Sequence, residues 1–249
     1  MPLRSRDLAW DGLLNARDLG GHPTEDGGET RFGEVVRADS VRRLTDAGWQ
    51  ALVDYGIRTI VDLRSDEELE ADPPAELPVG AVHVPFLEDR EDVWREVEAA
   101  SVRAADHAEA TRDVYLIFLE HFRPNVAAAV RAVVEAPEGG VVVHCMGGKD
   151  RTGLVTALLL RLAGVPVDEI AADYALSEQR LHTRHEEWFA TAADEAELER
   201  LHRIAATPAA SMVGVLEELE RRYGSIEGFL RSGGAPDDIR ERVRARLRD

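Results

Sequence analysis

The feature that most constrains this chain is one unbroken run, Val141-Val142-Val143-His144-Cys145-Met146-Gly147-Gly148-Lys149-Asp150-Arg151-Thr152-Gly153. It holds the only cysteine and the only lysine of the 249 residues, four positions apart; every other basic residue that is not histidine is arginine. An apolar stretch precedes it and another, Leu154 to Ala163, follows. The segment therefore reads as buried strand, tight glycine-rich loop and helix N-terminus. A thiol followed six positions later by an arginine across such a loop is the layout of a nucleophile beside a phosphate-binding site.

Each residue of the run has a chemical use. A free thiol is mostly protonated at neutral pH, and both a helix N-terminus and nearby cations favour the nucleophilic thiolate. The loop amides ahead of the helix at Thr152–Ala163 would point inward and favour an anion, either the thiolate or a phosphate oxygen. Met146, Gly147, Gly148, Lys149, Asp150 and Arg151 are thus the candidate phosphate-binding residues, the two glycines supplying backbone freedom. Arg151 can hold two oxygens through its planar fork. Thr152 could donate to the sulfur, His144 would orient the loop, and Gly153 would let the helix pack closely on the strand.

Other loops fit less well. An ATP-binding P-loop needs Gly where Val143 stands and Ser or Thr where Asp150 stands. One cysteine makes a zinc site or a redox pair improbable, and His182-x-x-His185 lies in a charged helix where such pairs are usually solvated. A buried core thiol is the plain reading of Cys145, but Gly-Gly-Lys-Asp-Arg is a poor core sequence.

The rest of the chain sets bounds. A 44% hydrophobic content allows one sizeable core. A net charge of −18 argues against nucleic acid and against an anionic membrane surface. An anionic substrate then requires a locally positive site. The first residues lack an apolar stretch, so no secretory signal is expected. Leu154 to Val165 is too short, and too interrupted by Arg161, to span a bilayer. The expectation is a cytoplasmic enzyme without stable membrane insertion and with no intrachain disulfide.

The periodicity predicts an α/β fold: a central parallel or mixed sheet of about four to five strands flanked by helices, in a single domain over 1–249. Strands are expected at 34–38, 58–63, 81–85 and 141–143. Helices are expected at 45–55 with Thr45 as N-cap, at 66–71 capped by Ser65 and broken at Asp72-Pro73-Pro74, at 114–136 with a kink at Pro124, at 152–163 and at 166–176. The charged stretch 87–112 reads as a mobile helical insertion and a candidate lid. Residues 178–249 read as a helical C-terminal elaboration, with helices at 178–190, 194–204, 208–223, 225–231 and 236–247.

The run His144-Cys145-x-x-Gly148-Lys149-Asp150-Arg151-Thr152-Gly153 resembles the signature loop of the Cys-x5-Arg protein phosphatases. It is closest to the bacterial tyrosine phosphatases that also act on phosphoinositides. Asn15-Ala-Arg-Asp-Leu-Gly-Gly21, Val36-Arg-Ala-Asp39, Ile60-Val-Asp-Leu-Arg-Ser65 followed by Glu67 and Glu68, and Asp173-Tyr174 with Ser177 are similar to further segments of that family, in the same order. The resemblance runs from about 12 to 180. It implies a phosphotyrosine phosphatase-like fold and two-step phosphoryl transfer without metal or cofactor. Cys145 would be the nucleophile, Arg151 would hold the phosphoryl oxygens, and a carboxylic acid would protonate the leaving oxygen and then activate water. Candidates for that acid are Glu88 and Asp89, which follow Val84-Pro85-Phe86 where the family places an Asp, and Asp150 within the loop. Lys149 is the candidate reader of a second substrate charge. Arg17 and Asp18 are read as an ion pair pinning the N-terminal segment. The implied partners are phosphotyrosine protein, with phosphoserine/threonine or phosphoinositide as further substrates. A rhodanese-like sulfurtransferase and a non-catalytic phosphate-binding module are the competing classes.

Overall fold

The computed structural model describes residues 5–72 and 77–248. Its centre is a five-stranded mixed sheet in the order β1-β2-β5-β3-β4, formed by β1 (Arg17–Asp18), β2 (Val35–Ala38), β3 (Ile57–Asp62), β4 (Gly80–His83) and β5 (Gly140–His144). Only β1 runs antiparallel, pairing Arg17 with Arg37; the other pairings are parallel. The all-valine centre of β5 is what a strand buried on both faces requires, and every residue of β5 is buried.

β5 enters last, between β2 and β3. The register sets Ala38, His144 and Asp62 side by side at the carboxyl edge of the sheet. The residues that follow each strand therefore converge there, at the place where open α/β sheets bind ligands.

Helices cover both faces. α1 (Asp46–Asp54), capped by the Thr45 side chain, packs with the N-terminal segment against Val36, Ile60 and Val142. The opposite face, Val35, Val61, Val141 and Val143, is covered by α5 (Arg123–Val134) and α6 (Asp150–Ala163), and behind them by α10 (Ala209–Tyr223), α11 (Ile226–Ser232) and α12 (Ile239–Leu247). Leu216, Phe229 and Val243 are fully buried in this core. The C-terminal helices are thus part of the main core, not an appendage to it.

Several boundaries differ from the sequence reading. The single helix expected at 114–136 is two: α4 (His107–His121) and α5, with Pro124 in the first turn of α5, where its missing N–H costs nothing. The stretch 87–112 is α3 (Glu91–Arg103) plus the start of α4; α3 packs on α4 through buried Val93 and Ala100, so it has a face in the protein despite its charge. The helix after the glycine-rich loop, α6, starts at Asp150, two residues early, which puts Asp150 and Arg151 in its first turn. α7 spans Val167–Arg180, longer than expected, and is followed by α8 (His182–Phe189) and α9 (Glu195–Ala205). α2 (Asp66–Ala71) is capped by Ser65 as expected, and Glu68 completes a capping box with it. The proposed break at Pro73-Pro74 lies outside the described residues. Among the described residues no helix is long and apolar enough to cross a membrane.

Candidate active site

Cys145 follows the last residue of β5, is buried, and is a free thiol. From it the chain turns through Met146, Gly147, Gly148 and Lys149 into α6. Three successive carbonyls of this loop are held from outside. The amide of Ser40 donates to Met146 O (3.1 Å), Asn15 Nδ2 donates to Gly147 O and Gly148 O (both 3.1 Å), and Arg37 Nη2 donates to Gly148 O (2.8 Å). In a trans peptide the N–H points away from the C=O, so turning these carbonyls outward turns the following amides inward. α6 has no side-chain N-cap, so its first-turn amides add to the same positive surface. Gly148 has φ +65°, and a Cβ there would lie 2.3 Å from Ala38 O; only glycine fits.

The clamps are themselves fixed. Arg17 Nη1 donates to Asn15 Oδ1 (2.6 Å), and Asp173 on α7 takes Arg17 Nε (2.9 Å) and Arg37 Nη1 (2.8 Å). All are fully buried. Burial alone would raise the Asp173 carboxyl, but the guanidiniums of Arg17 and Arg37 outweigh it and hold it well below the usual range. Arg17 is thus paired with Asp173 and not with Asp18, which instead accepts from the Gly20 and Gly33 amides and from Tyr55. Asp39 accepts from the amide of Asn15 (2.9 Å) and from Arg184 of α8 (3.0 Å).

Arg151 meets Glu68 in a two-pronged contact: Nη2 donates to Oε1 at 2.8 Å and Nη1 to Oε2. Burial opposes the guanidinium's charge, but Glu68 and the nearby Cys145 sulfur raise Arg151 above its ordinary value. Glu68 is lowered in turn, because Arg151 overcomes the cost of burial.

Asp150 Oδ1 accepts from the Tyr115 hydroxyl of α4 at 2.5 Å, and Lys149 Nζ lies 3.2 Å from the same oxygen. Tyr115 also meets the Tyr174 hydroxyl of α7 at 2.8 Å. Lys149 is buried and donates to the carbonyl of Ile204 near the end of α9. His144 is buried, and burial lowers it toward the neutral form. Its Nδ1 lies 3.2 Å from Cys145 O; a carbonyl can only accept, so Nδ1 carries the proton. Thr152 Oγ1 is buried without a hydrogen-bond partner among the described residues. Gly153 seats the Tyr174 ring of α7, 3.1 Å from where its Cβ would be, with Arg37 Nη2 of strand β2 at 3.4 Å.

An open cleft of about 430 Å³ adjoins the loop, lined by Asp150, Arg151, Glu67, Glu68, Glu88, Asp89, Leu87, Trp94 and Phe118. All three candidate acids therefore face one space. They are not equivalent: Glu88 is exposed and accepts from Asn125 Nδ2 (3.1 Å), Asp89 is exposed, and Asp150 is fixed within the loop itself. Trp94 and Phe118 meet edge to face, 5.6 Å between centroids, and give the cleft an aromatic wall. Among the described residues no cluster of His, Cys, Asp and Glu could hold a metal ion.

Three of these partners escaped the sequence. Tyr115 and Tyr174 carry no local pattern that ties them to Asp150. Glu68 was read only as part of a segment similar to the phosphatases, and not as the partner of Arg151.

The structure thus places a free cysteine just past the central parallel strand, six residues before an arginine at a helix start, beside loop amides turned inward. The chain belongs to the tyrosine phosphatase family, whose model matches residues 8–249. Among its relatives are a tyrosine-protein phosphatase of Nostoc commune, 30% identical over 85% of this chain and 73% of that protein, and a putative tyrosine-protein phosphatase of Cupriavidus necator, 34% identical over 70% and 64%. The triple specificity protein phosphatase PtpB of Mycobacterium tuberculosis is 30% identical over 99% of both chains. The protein is a tyrosine phosphatase, a phosphoric monoester hydrolase.

Proposed function

We propose that the enzyme hydrolyses phosphotyrosine through a phosphocysteine, with Cys145 as nucleophile, Arg151 and the loop amides as oxyanion holders, and Asp150 as the acid. In the first step the Cys145 sulfur bonds to phosphorus as the ester P–O bond breaks, and Asp150 gives its proton to the leaving oxygen. In the second, water bonds to phosphorus as the S–P bond breaks, and Asp150 takes the water's proton. Thr152 has a free hydroxyl for the departing thiolate.

The observation that carries this reading is the shared cleft: Asp150 and Arg151 line the same space as the Trp94–Phe118 wall, which suits an aryl group. Four carboxylates (Glu67, Glu68, Glu88 and Asp89) surround it, and Lys149 is turned away. That balance favours a phosphoprotein over a polyanionic phosphoinositide, although one relative is named for triple specificity. Family membership sets aside the sulfurtransferase and binding-module readings. A single free cysteine suits a reducing compartment, and we place the enzyme in the cytoplasm.

The test is hydrolysis of p-nitrophenyl phosphate with EDTA present, for wild type beside Cys145→Ser. Turnover in the wild type and none in the variant is expected. Turnover retained by the variant would remove the phosphocysteine from the scheme.

A further inference from the structure

In the acid step, Asp150 must present one carboxyl oxygen to the leaving group while the other stays out of the way. The side chain sits in the first turn of α6, half-exposed, where nothing in the backbone fixes its rotation. What fixes it comes from elsewhere in the fold. The Tyr115 hydroxyl reaches Oδ1 at 2.5 Å, and Lys149 Nζ reaches the same oxygen at 3.2 Å. Among the described residues no donor reaches Oδ2. Oδ1 is therefore the anchored oxygen, and Oδ2 is the one free to carry a proton.

Tyr115 has a single O–H. A carboxylate can only accept, so that O–H points at Asp150, and the 2.8 Å contact with Tyr174 must be made by the Tyr174 hydroxyl donating to Tyr115. The chain of donors runs Tyr174 to Tyr115 to Asp150. Both phenols are buried, and their rings meet edge to face, 6.1 Å between centroids at 81°. Burial in the first place, with the Asp150 charge adding to it, raises both phenols, so they stay protonated and remain donors. Tyr174 is seated by Gly153, one turn along α6 from Asp150, and Tyr115 lies one turn along α4 from Phe118 of the cleft wall. The pair thus ties the acid's orientation to the wall against which a substrate ring would rest.

We infer that Tyr115, itself held by Tyr174, is a positioning residue that anchors Asp150 Oδ1 and leaves Oδ2 to deliver the proton to the leaving oxygen. This rests on Asp150 being the acid, and the experiment separates the two claims.

A misplaced acid harms poor leaving groups selectively. p-Nitrophenolate departs without a proton; phenolate needs one. We would measure kcat/KM, which reports phosphocysteine formation, for p-nitrophenyl phosphate and phenyl phosphate with wild type, Tyr115→Phe, Tyr174→Phe and Asp150→Asn. Tyr→Phe keeps both rings in place, and thermal melts check the fold. In Asp150→Asn the phenyl phosphate value should fall about a hundredfold further than the p-nitrophenyl phosphate value. Tyr115→Phe should show the same selective loss at about tenfold, with the change in kcat and not in KM, and Tyr174→Phe a smaller loss of the same kind. Equal losses on both substrates in Tyr115→Phe, or no loss, with Asp150→Asn still selective, would overturn the positioning role alone. No selectivity in Asp150→Asn would overturn the acid assignment, and the positioning role with it. A merely structural role for Tyr115 would not change the ratio between the two leaving groups.

Discussion

Glu68 holds Arg151 with the same carboxylate that closes the capping box of α2. Its Oε2 accepts the Ser65 amide at 2.8 Å and one arm of the guanidinium, while Oε1 takes the other arm at 2.8 Å. The plane of the Arg151 guanidinium is therefore set by a helix start that lies 83 residues earlier in the chain.

Glu68→Gln keeps the size of the side chain and removes its charge. Arg151 then keeps its own charge but loses the two-pronged contact that orients it. We expect kcat/KM for p-nitrophenyl phosphate to fall by about ten- to a hundredfold, with the exposed neighbour change Glu70→Gln as an inert control. Because the Glu68 carboxyl is lowered by Arg151, the pair's contribution to stability is present above the unfolded glutamate value and is lost only as pH falls through the lower, folded value. Equal activity of the Glu68→Gln variant and the wild type would mean that the fork is oriented by other contacts.

Gly148→Ala should disable the loop. The residue has φ +65°, and the new Cβ would meet the backbone carbonyl of Ala38 at 2.3 Å. The conformation alone costs about 1–2 kcal/mol, and the clash is with a strand end that cannot swing aside. We expect a lower midpoint in urea unfolding and at least a hundredfold loss of turnover, from amides that no longer converge. Gly147→Ala should be much milder, since a Cβ there meets only Leu181 at 3.9 Å.

His22 should make the fold acid-sensitive. It is buried beside Arg6 and Asp173, and burial lowers it from 6.5 to about 4. Between those values the unfolded chain binds a proton that the folded chain does not. Stability therefore falls as pH drops from about 6.5 to about 4, by up to about 3 kcal/mol. Urea unfolding at steps across that window would show the slope, and His22→Gln should flatten it. A variant with an unchanged slope would assign the effect to another group.

The carboxylates around the cleft should be read by the substrate. Phosphotyrosyl peptides with Lys or Arg beside the phosphotyrosine are expected to have lower KM than acidic ones, by several-fold at low salt and less at high salt. The double change Glu67→Lys with Asp89→Lys, both on exposed side chains, should reverse that order. A peptide preference that survives the reversal would place the recognition elsewhere.

What could be read from the sequence was local. The triple valine, the thiol, the glycine pair and the arginine lie within one strand–loop–helix unit, and each residue type states its own use there. Ser65, a capping residue type just ahead of an acidic run, announced α2 for the same reason. The contacts that support the site are not local. Arg17 finds Asp173 across 156 positions and Asn15 finds Gly147 across 132, and nothing in either neighbourhood names the other. Asp18, adjacent and oppositely charged, was the natural partner for Arg17, but strand alternation sends consecutive side chains to opposite faces. The start of α4 was missed because its first turns are charged and partly exposed, so the apolar pattern begins only near Val114. The contact of Lys149 with the Ile204 carbonyl of α9 likewise has no local signal.

The clamp of Arg17 and Arg37 on Asp173 also orders events in time. A ribosome delivers Cys145, its loop and α6 before it delivers α7, and the two arginines gain their buried counter-charge only when Asp173 is made. A nascent chain that ends before α7 thus holds Cys145 and Arg151 but lacks the carboxylate that fixes Arg17 and Arg37, which hold the Asn15 side chain and the Gly148 carbonyl. Residues near the start of the chain and a carboxylate far along it are thus joined at one loop, and only a polypeptide long enough to hold both can close the clamp.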